Sequence, residues 1–197
     1  MLFLLRTVAL CFLGPLAFLY VSNASAADPV LKATLLGSGY VEPLPNKYGA
    51  SILVEAGSET LLFDAGRGAT IRLNQIPIPF DAVDKVFLTH LHSDHVVGLP
   101  DLYLTGWVLG RRDTPLRLWG PEGTAHMARH LVSAFDFDVV IRRDKHTRYA
   151  AIGATIDATD FTQGVVYEAN GVTVTAFEVD QGPVKPAFGF RVDYAGR

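Results

Sequence analysis

Thr89-His90-Leu91-His92-Ser93-Asp94-His95 gathers three of the chain's six histidines and a carboxylate into one short stretch. Neutral imidazole and carboxylate are ligands that suit zinc, iron and manganese. A catalytic zinc takes about three protein ligands in all, so four donors packed this tightly exceed what one ion needs from one segment. In extended chain His90 and His92 project to the same side, because side chains alternate. Asp94 and His95 follow where the chain must turn, and can face a second ion beside the first. Such spacing suits a pair of metals about 3.5–4 Å apart that share a hydroxide. The plainer alternative is a histidine-rich surface turn at a helix start, with Asp94 as its N-cap.

The flanks favour the metal reading. Asp84-Lys85-Val86-Phe87-Leu88 is a short apolar run that reads as a buried strand ending just before His90, and Val96-Val97-Gly98-Leu99-Pro100 leads into helical sequence. Ligands at the carboxyl end of a strand are where open α/β sheets place their active sites. Upstream, residues 32–36 read as a first strand, closed by Gly37-Ser38-Gly39. A dinucleotide loop is rejected there, because Glu42 stands in place of the third glycine and Pro43 and Pro45 occupy the helix start. Residues 51–55 and 60–63 flank Ala56-Gly57-Ser58-Glu59, a hairpin signal. Asp64-Ala65-Gly66 ends the second arm and residues 68–75 read as helix. Asp64 either caps that helix or orients a ligand histidine.

Downstream, residues 102–109 read as a buried helix, residues 115–119 as a strand, and Gly120-Pro121-Glu122-Gly123 as a turn into a helix ending at Ala134. His126 and His130 stand four apart there, as in a His-Glu-x-x-His zinc helix. Met127 occupies the place of the glutamate, and the pair reads as surface histidines. From Val165 the pattern is β again, with strands over residues 172–179 and 188–194. The chain shows no internal repeat or low-complexity tract.

Composition sets outer bounds. At 197 residues with 49% hydrophobic content, the chain makes at most one ordinary domain plus extras. A net charge of −3 gives no bulk attraction to nucleic acid. The basic run Arg142-Arg143-Asp144-Lys145-His146-Thr147-Arg148 is interrupted by Asp144 and reads as a solvated loop or helix end. At the N-terminus Arg6 precedes an apolar stretch over residues 8–21, followed by small residues with Ala24 and Ala26 at signal-peptidase spacing. Residues 1–26 are therefore expected to be a signal peptide, with an uncleaved anchor as the alternative, and residues 27–197 the folded domain. Cys11, the only cysteine, falls in the leader, so no thiol chemistry is expected in the mature chain. The expected location is periplasmic or secreted.

Strands, a Phe63-Asp64-Ala65-Gly66 turn and then Thr-His-x-His-x-Asp-His together resemble the metallo-β-lactamase superfamily. Leu36-Gly37-Ser38-Gly39, Leu99-Pro100-Asp101-Leu102, Trp119-Gly120-Pro121-Glu122-Gly123 and Phe188-Gly189-Phe190-Arg191 resemble its arylsulfatase and ribonuclease Z-like branch. The resemblance implies an α/β fold, a four-layer αββα sandwich, with a di-metal site along one edge. It implies two divalent ions, zinc foremost, with His90 and His92 on the first, Asp94 and His95 on the second, and Asp64 behind them. Asp94 is then also the candidate catalytic residue, beside a bridging hydroxide that attacks a sulfate, phosphate or acyl centre. In the family this chain resembles, the third ligand of the first metal is a histidine just before a strand reading Phe-Gly-Tyr-Arg. Here Gln181 takes that place, a poor zinc ligand beside imidazole, with Asp180 as the neighbouring substitute. The chain stops at Arg197, before the bridging aspartate and last histidine of the family, so the domain is expected to be C-terminally incomplete, the N-terminal half to two-thirds of the sandwich.

The expected function is an exported metal-dependent hydrolase acting on a sulfate, phosphodiester or other ester. The alternative is a truncated, non-catalytic remnant with a partial metal site. Export argues against tRNA, so the expected partner is a small-molecule ester, with no nucleic acid, no membrane after leader cleavage, and a homodimer as one possible assembly.

Overall fold

The computed structural model describes residues 30–146 and 149–197. The expected leader lies outside the described residues, among which no helix is long and apolar enough to cross a membrane. Two sheets form the body. The first has six strands in sequence order, β1 (Leu31–Gly37), β2 (Ser51–Ala56), β3 (Glu59–Phe63), β4 (Lys85–Phe87), β5 (Leu116–Gly120) and β6 (Ile156–Asp160). The second has three: β7 (Gly164–Ala169), β8 (Val172–Glu178) and β9 (Phe188–Tyr194). β1, β2 and β3 are antiparallel, whereas β3 through β6 run parallel.

Parallel neighbours need crossovers, and helices supply them. α1 (Ala69–Leu73) joins β3 to β4, α2 (Ser93–Val96) and α3 (Leu99–Val108) join β4 to β5, and α4 (Thr124–Ala134) with α5 (Asp136–Lys145) joins β5 to β6. This wiring brings the carboxyl ends of β3, β4 and β5 to one edge. Asp64 follows β3 there, Thr89 and His90 follow β4, and Gly120 closes β5.

Side-chain alternation decides which face each strand residue covers. Leu62 of β3 and Val86 of β4 turn toward the helices, into a core with Leu53, Leu102, Trp107 and Leu118. Leu61, Phe63 and Phe87 turn the other way and meet Tyr167, Val172 and Val174 of the second sheet. Phe87 is the centre of that inter-sheet layer, stacked on Phe63 (centroids 5.1 Å) and Trp119 (4.8 Å) with Tyr167 edge-on at 5.8 Å. The layers are thus helix, sheet, sheet, which are three of the four expected.

Two elements escape the sequence reading. α5 begins with Asp136 and Asp138 and ends in Arg142, Arg143 and Lys145, charges that complement the helix dipole at both ends; the basic run is its last turn. β6 is an edge strand with alternating exposure and two aspartates, a composition depleted in strands.

One polar network pins the sheets together. Glu59 is only 5% exposed, and its carboxylate accepts hydrogen bonds from Tyr167 Oη (2.7 Å) and Asn170 Nδ2 (2.5 Å) while facing Lys85 Nζ at 3.0 Å. Burial pushes the Glu59 pKa up, but the bonds from Asn170, Tyr167 and Lys85 outweigh it and hold the carboxyl below its ordinary value. A carboxyl with a depressed folded pKa stabilises the fold above its unfolded pKa, and that share is lost as pH falls through the folded value. Glu59→Ala should therefore cost about 2–4 kcal/mol at pH 7, by leaving Tyr167 and Asn170 without their acceptor and Lys85 with Asp84 alone. Urea unfolding at pH 7 and again below pH 4 should show the deficit shrinking in acid; a deficit that is constant with pH would refute the assignment.

Candidate metal centre

β4 delivers the motif in extended form and α2 turns it. His92 is the N-cap residue of α2, with extended backbone (φ −65°, ψ 146°), so His90 and His92 remain on one side as their spacing predicts. His90 Nε2 lies 3.1 Å from His92 Nδ1. One α-helical turn then carries Asp94 and His95 alongside, with His95 Nε2 3.8 Å from Asp94 Oδ2 and the His90 and His95 rings 4.1 Å apart. The structure thus brings the four predicted donors together as two adjoining pairs. The N-cap of α2 is His92 and not Asp94, and no side chain caps the helix.

Asp64 does not cap α1 either, whose N-cap is Gly68. Its backbone is left-handed (φ 58°), a conformation aspartate tolerates better than most residues. This turn sends the carboxylate across to the motif. Oδ1 accepts from Thr89 N (2.8 Å), and Oδ2 lies 2.7 Å from His95 Nδ1 and 2.9 Å from Thr89 Oγ1. Thr89 Oγ1 in turn lies 2.9 Å from His90 Nδ1. The network assigns the protons. Asp64 accepts the Nδ1 proton of His95 directly and the Thr89 hydroxyl proton, which leaves Thr89 Oγ1 to accept the Nδ1 proton of His90. In the neutral form both histidines then leave Nε2 unprotonated, that of His90 toward His92 and that of His95 toward Asp94, the tautomer a metal ligand needs. Thr89 escapes the sequence reading. Its signal was a hydroxyl directly before His-x-His, but its partner lies 25 residues upstream.

The electrostatics are divided. Burial, then the neighbouring His95 and His92, push His90 below the ordinary imidazole value and keep it neutral. Burial also lowers His95, but the hydrogen bond to Asp64 and the charges of Asp64 and Asp94 outweigh it and raise its pKa. Where His95 is charged, a metal ion at its Nε2 has to displace a proton.

The donor chemistry fits a divalent ion. Two imidazole nitrogens held about 2.0–2.1 Å from one tetrahedral zinc stand roughly 3.3–3.4 Å apart, close to the 3.1 Å between His90 Nε2 and His92 Nδ1. The number of donors is smaller than the chemistry. Among the described residues no group of three or more His, Cys, Asp or Glu converges on one point, so each pair offers two. Asp180 and Gln181 lie exposed in the loop between β8 and β9, tied to the motif strand by Phe188 N donating to Thr89 O at 2.9 Å. The Asp180 carboxylate accepts from Gly182 N at 3.0 Å, a bond within its own loop. A cavity of about 290 Å³ opens beside Asp64 and Thr89, walled by Ile52, Phe63, Phe190 and Val192 between the sheets.

Asp64→Asn keeps the left-handed turn and removes the charge that holds His95. It should lower zinc affinity about 10- to 100-fold, the usual effect of losing such a carboxylate. Competition with a chromophoric chelator reads this directly; unchanged affinity would show that Asp64 serves only the fold.

Comparison with known proteins bears on the same scaffold. The family model described as Anti-Pycsar protein Apyc1 matches residues 31–191. A ribonuclease Z from Mycobacterium sp. (strain KMS) is 38% identical over 167 residues, covering 84% of this chain and 58% of that protein. Among solved structures, human tRNase Z, short form, superposes with a TM-score of 0.65 at 23% identity, covering 84% of this chain and 66% of that one. The metallo-beta-lactamase fold protein YhfI from Bacillus subtilis gives 0.62 at 21%, covering 84% and 59%. The chain thus spans somewhat less than two thirds of the curated relatives it matches. Similarity to proteins named ribonuclease Z overturns one expectation, the exclusion of nucleic acid. That exclusion rested on expected export and on a net charge of −3, which averages the whole surface, whereas recognition of a phosphodiester is set by the few groups at a site.

Proposed function

Because the chain belongs to the metallo-β-lactamase superfamily, in its ribonuclease Z-like branch and within the family described as Anti-Pycsar protein Apyc1, we propose that it serves as a divalent-metal-dependent hydrolase of phosphodiesters carried by RNA or nucleotides. The observation that carries this reading is the pair of adjoining two-donor bites, His90 with His92 and Asp94 with His95, at the carboxyl ends of parallel strands. A divalent ion held there lowers the pKa of a water toward neutrality and offsets charge developing on the phosphoryl group. The chain's own part is to present those lone pairs. Asp64 and Thr89 fix the His90 and His95 rings, and the buried β4 strand fixes where they emerge. The phosphodiester class comes from relatives named for ribonuclease action; sulfate and acyl esters, also weighed on sequence, have no comparable support.

A second reading has one observation in its favour. Catalytic zinc sites use about three protein ligands, and the described residues offer two per ion. A partial site that binds metal weakly and turns nothing over is consistent with that count.

The deciding experiment loads the purified chain with zinc or manganese and offers bis(p-nitrophenyl) phosphate, p-nitrophenyl sulfate and a short RNA. The proposal expects hydrolysis of the phosphodiesters, little of the sulfate, and none in excess chelator. Hydrolysis that survives the chelator, or that favours the sulfate, overturns it. No hydrolysis of any substrate by the metal-loaded chain selects the partial site instead.

A further inference from the structure

The loop between β1 and β2 carries apolar side chains that the core does not use. Its neck is closed by Gly39 N donating to Tyr48 O (2.6 Å) and by a bridge between Gly39 and Gly49. Beyond that neck Tyr40 is 76% exposed, with Val41 and Leu44 exposed beside it. Together with Lys47, Tyr48, Arg67 and Ile71 the loop walls a groove of about 350 Å³. Burial cannot explain a tyrosine so placed, since exposure of a large apolar ring gains nothing for the fold.

The groove adjoins the candidate metal centre through main chain. A Cβ added at Gly49 would come within 2.9 Å of Asp94 O, and one at Gly66 within 2.4 Å of it. Gly49 N also donates to Arg67 O at 2.9 Å, so loop neck, Arg67 and the motif pack as one wall. Arg67 stands three residues after Asp64, and its guanidinium makes one long hydrogen bond, to Val41 O at 3.4 Å. Tyr48 is already engaged, with Arg72 over its ring at 5.6 Å. That leaves Tyr40 as the ring presented outward.

An exposed aromatic face beside cations is the chemistry that holds an unpaired nucleotide: the base stacks on the ring and the backbone phosphate meets the cation. Glu42 and Asp101 also line the groove. They make it a poor sink for bare phosphate, yet they can accept from the amino and hydroxyl groups of a nucleoside. We propose that this groove receives a single-stranded nucleotide flanking the scissile phosphodiester, with Tyr40 as its stacking platform and Arg67 as its phosphate contact. The assignment rests on the phosphodiesterase reading above and adds a specificity site to it.

The test separates the two. Binding of a fluorescein-labelled ten-nucleotide oligouridylate is followed by anisotropy with the full chain in chelator, so that turnover plays no part. Tyr40→Ala should weaken binding roughly 5- to 100-fold, the usual effect of losing one base stack, and Tyr40→Phe should restore it. Arg67→Gln should weaken binding and reduce the slope of log affinity against log salt by about 1. Thermal melting should be unmoved in Tyr40→Ala, because the ring is outside the core. Absence of binding by the wild-type chain at low salt overturns the groove, and so does binding that both variants leave intact; the latter would assign the apolar tip to a protein contact. Failure of the metal-loaded chain to hydrolyse bis(p-nitrophenyl) phosphate would count against the phosphodiesterase reading alone, since the anisotropy result does not depend on it.

Discussion

Arg112→Ala should destabilise the domain by about 3–5 kcal/mol. Arg112 is 2% exposed, and the carboxylates of Asp84 and Asp81 act on it only through space. Instead it donates from Nε to Thr114 O (3.2 Å) and from Nη2 to Tyr103 O and Gly153 O (3.0 Å each), joining the end of α3 to the turn before β6. Nη1 is buried with no hydrogen-bond partner among the described residues, and Gly106 lacks a Cβ at the spot 2.2 Å from it. Burial pulls the guanidinium down to about 10, with Asp84, Tyr103 and Asp81 opposing. The sign follows from linkage: the unfolded chain binds more protons between about 10 and 12.5, so this group's contribution rises with pH in that window and its charge opposes folding at neutrality. Removing the side chain therefore relieves a desolvation cost and loses charge-assisted bonds worth about 1.5–3 kcal/mol each, together with a cavity. The bonds and the cavity outweigh the relief. Arg112→Met fills the volume without the charge and should cost clearly less than alanine. Thermal melting of both variants should show a drop of roughly 6–15 °C for alanine and a smaller one for methionine. Equal drops would mean that the charge, not the volume, is what the site needs.

The sequence made the motif and its strand legible because one physical rule governs both. A strand buried on two faces reads as an apolar run, and donors that follow it must emerge at the sheet edge. Residues 51–56, 59–63 and 85–87 behave this way, and the strands other than β6, the hairpin, α1 and α4 lie where the periodicity puts them. What stayed hidden was set by long-range pairing. Asp64 reaches Thr89 only because β3 and β4 are parallel neighbours, with Phe63 beside Phe87. Glu59 looks like a solvated turn residue until Tyr167, 108 positions later, closes over it. Arg112 in a loop suggests solvent, and only the packing of α3 against the turn at Gly153 buries it. Tyr40 is the opposite case: an aromatic in a proline-rich loop gives no sign of whether it will be covered, and the structure leaves it exposed. The exclusion of nucleic acid failed because it rested on bulk charge and on expected export, and neither describes the groups at a site.

His92→Ala carries the largest functional effect expected of the chain. His92 is exposed, at the N-cap of α2, and makes no side-chain capping bond, so its loss should change stability by under about 0.5 kcal/mol. What it removes is Nδ1, one of the two nitrogens in the bite 3.1 Å wide. A chelate reduced to one imidazole loses more than the 10- to 100-fold that an outer carboxylate contributes, so zinc affinity at that pair should fall at least on the order of 100-fold. The Asp94 and His95 pair is left intact, with Asp64 still holding His95. Total metal uptake should therefore drop by about half while phosphodiester hydrolysis falls to background. That split is the informative result, because a misfolded variant would lose both pairs together and would melt earlier. Metal analysis, melting and hydrolysis on the same preparation decide it. Undiminished uptake with full activity would mean that the two adjoining pairs are not where the metals sit.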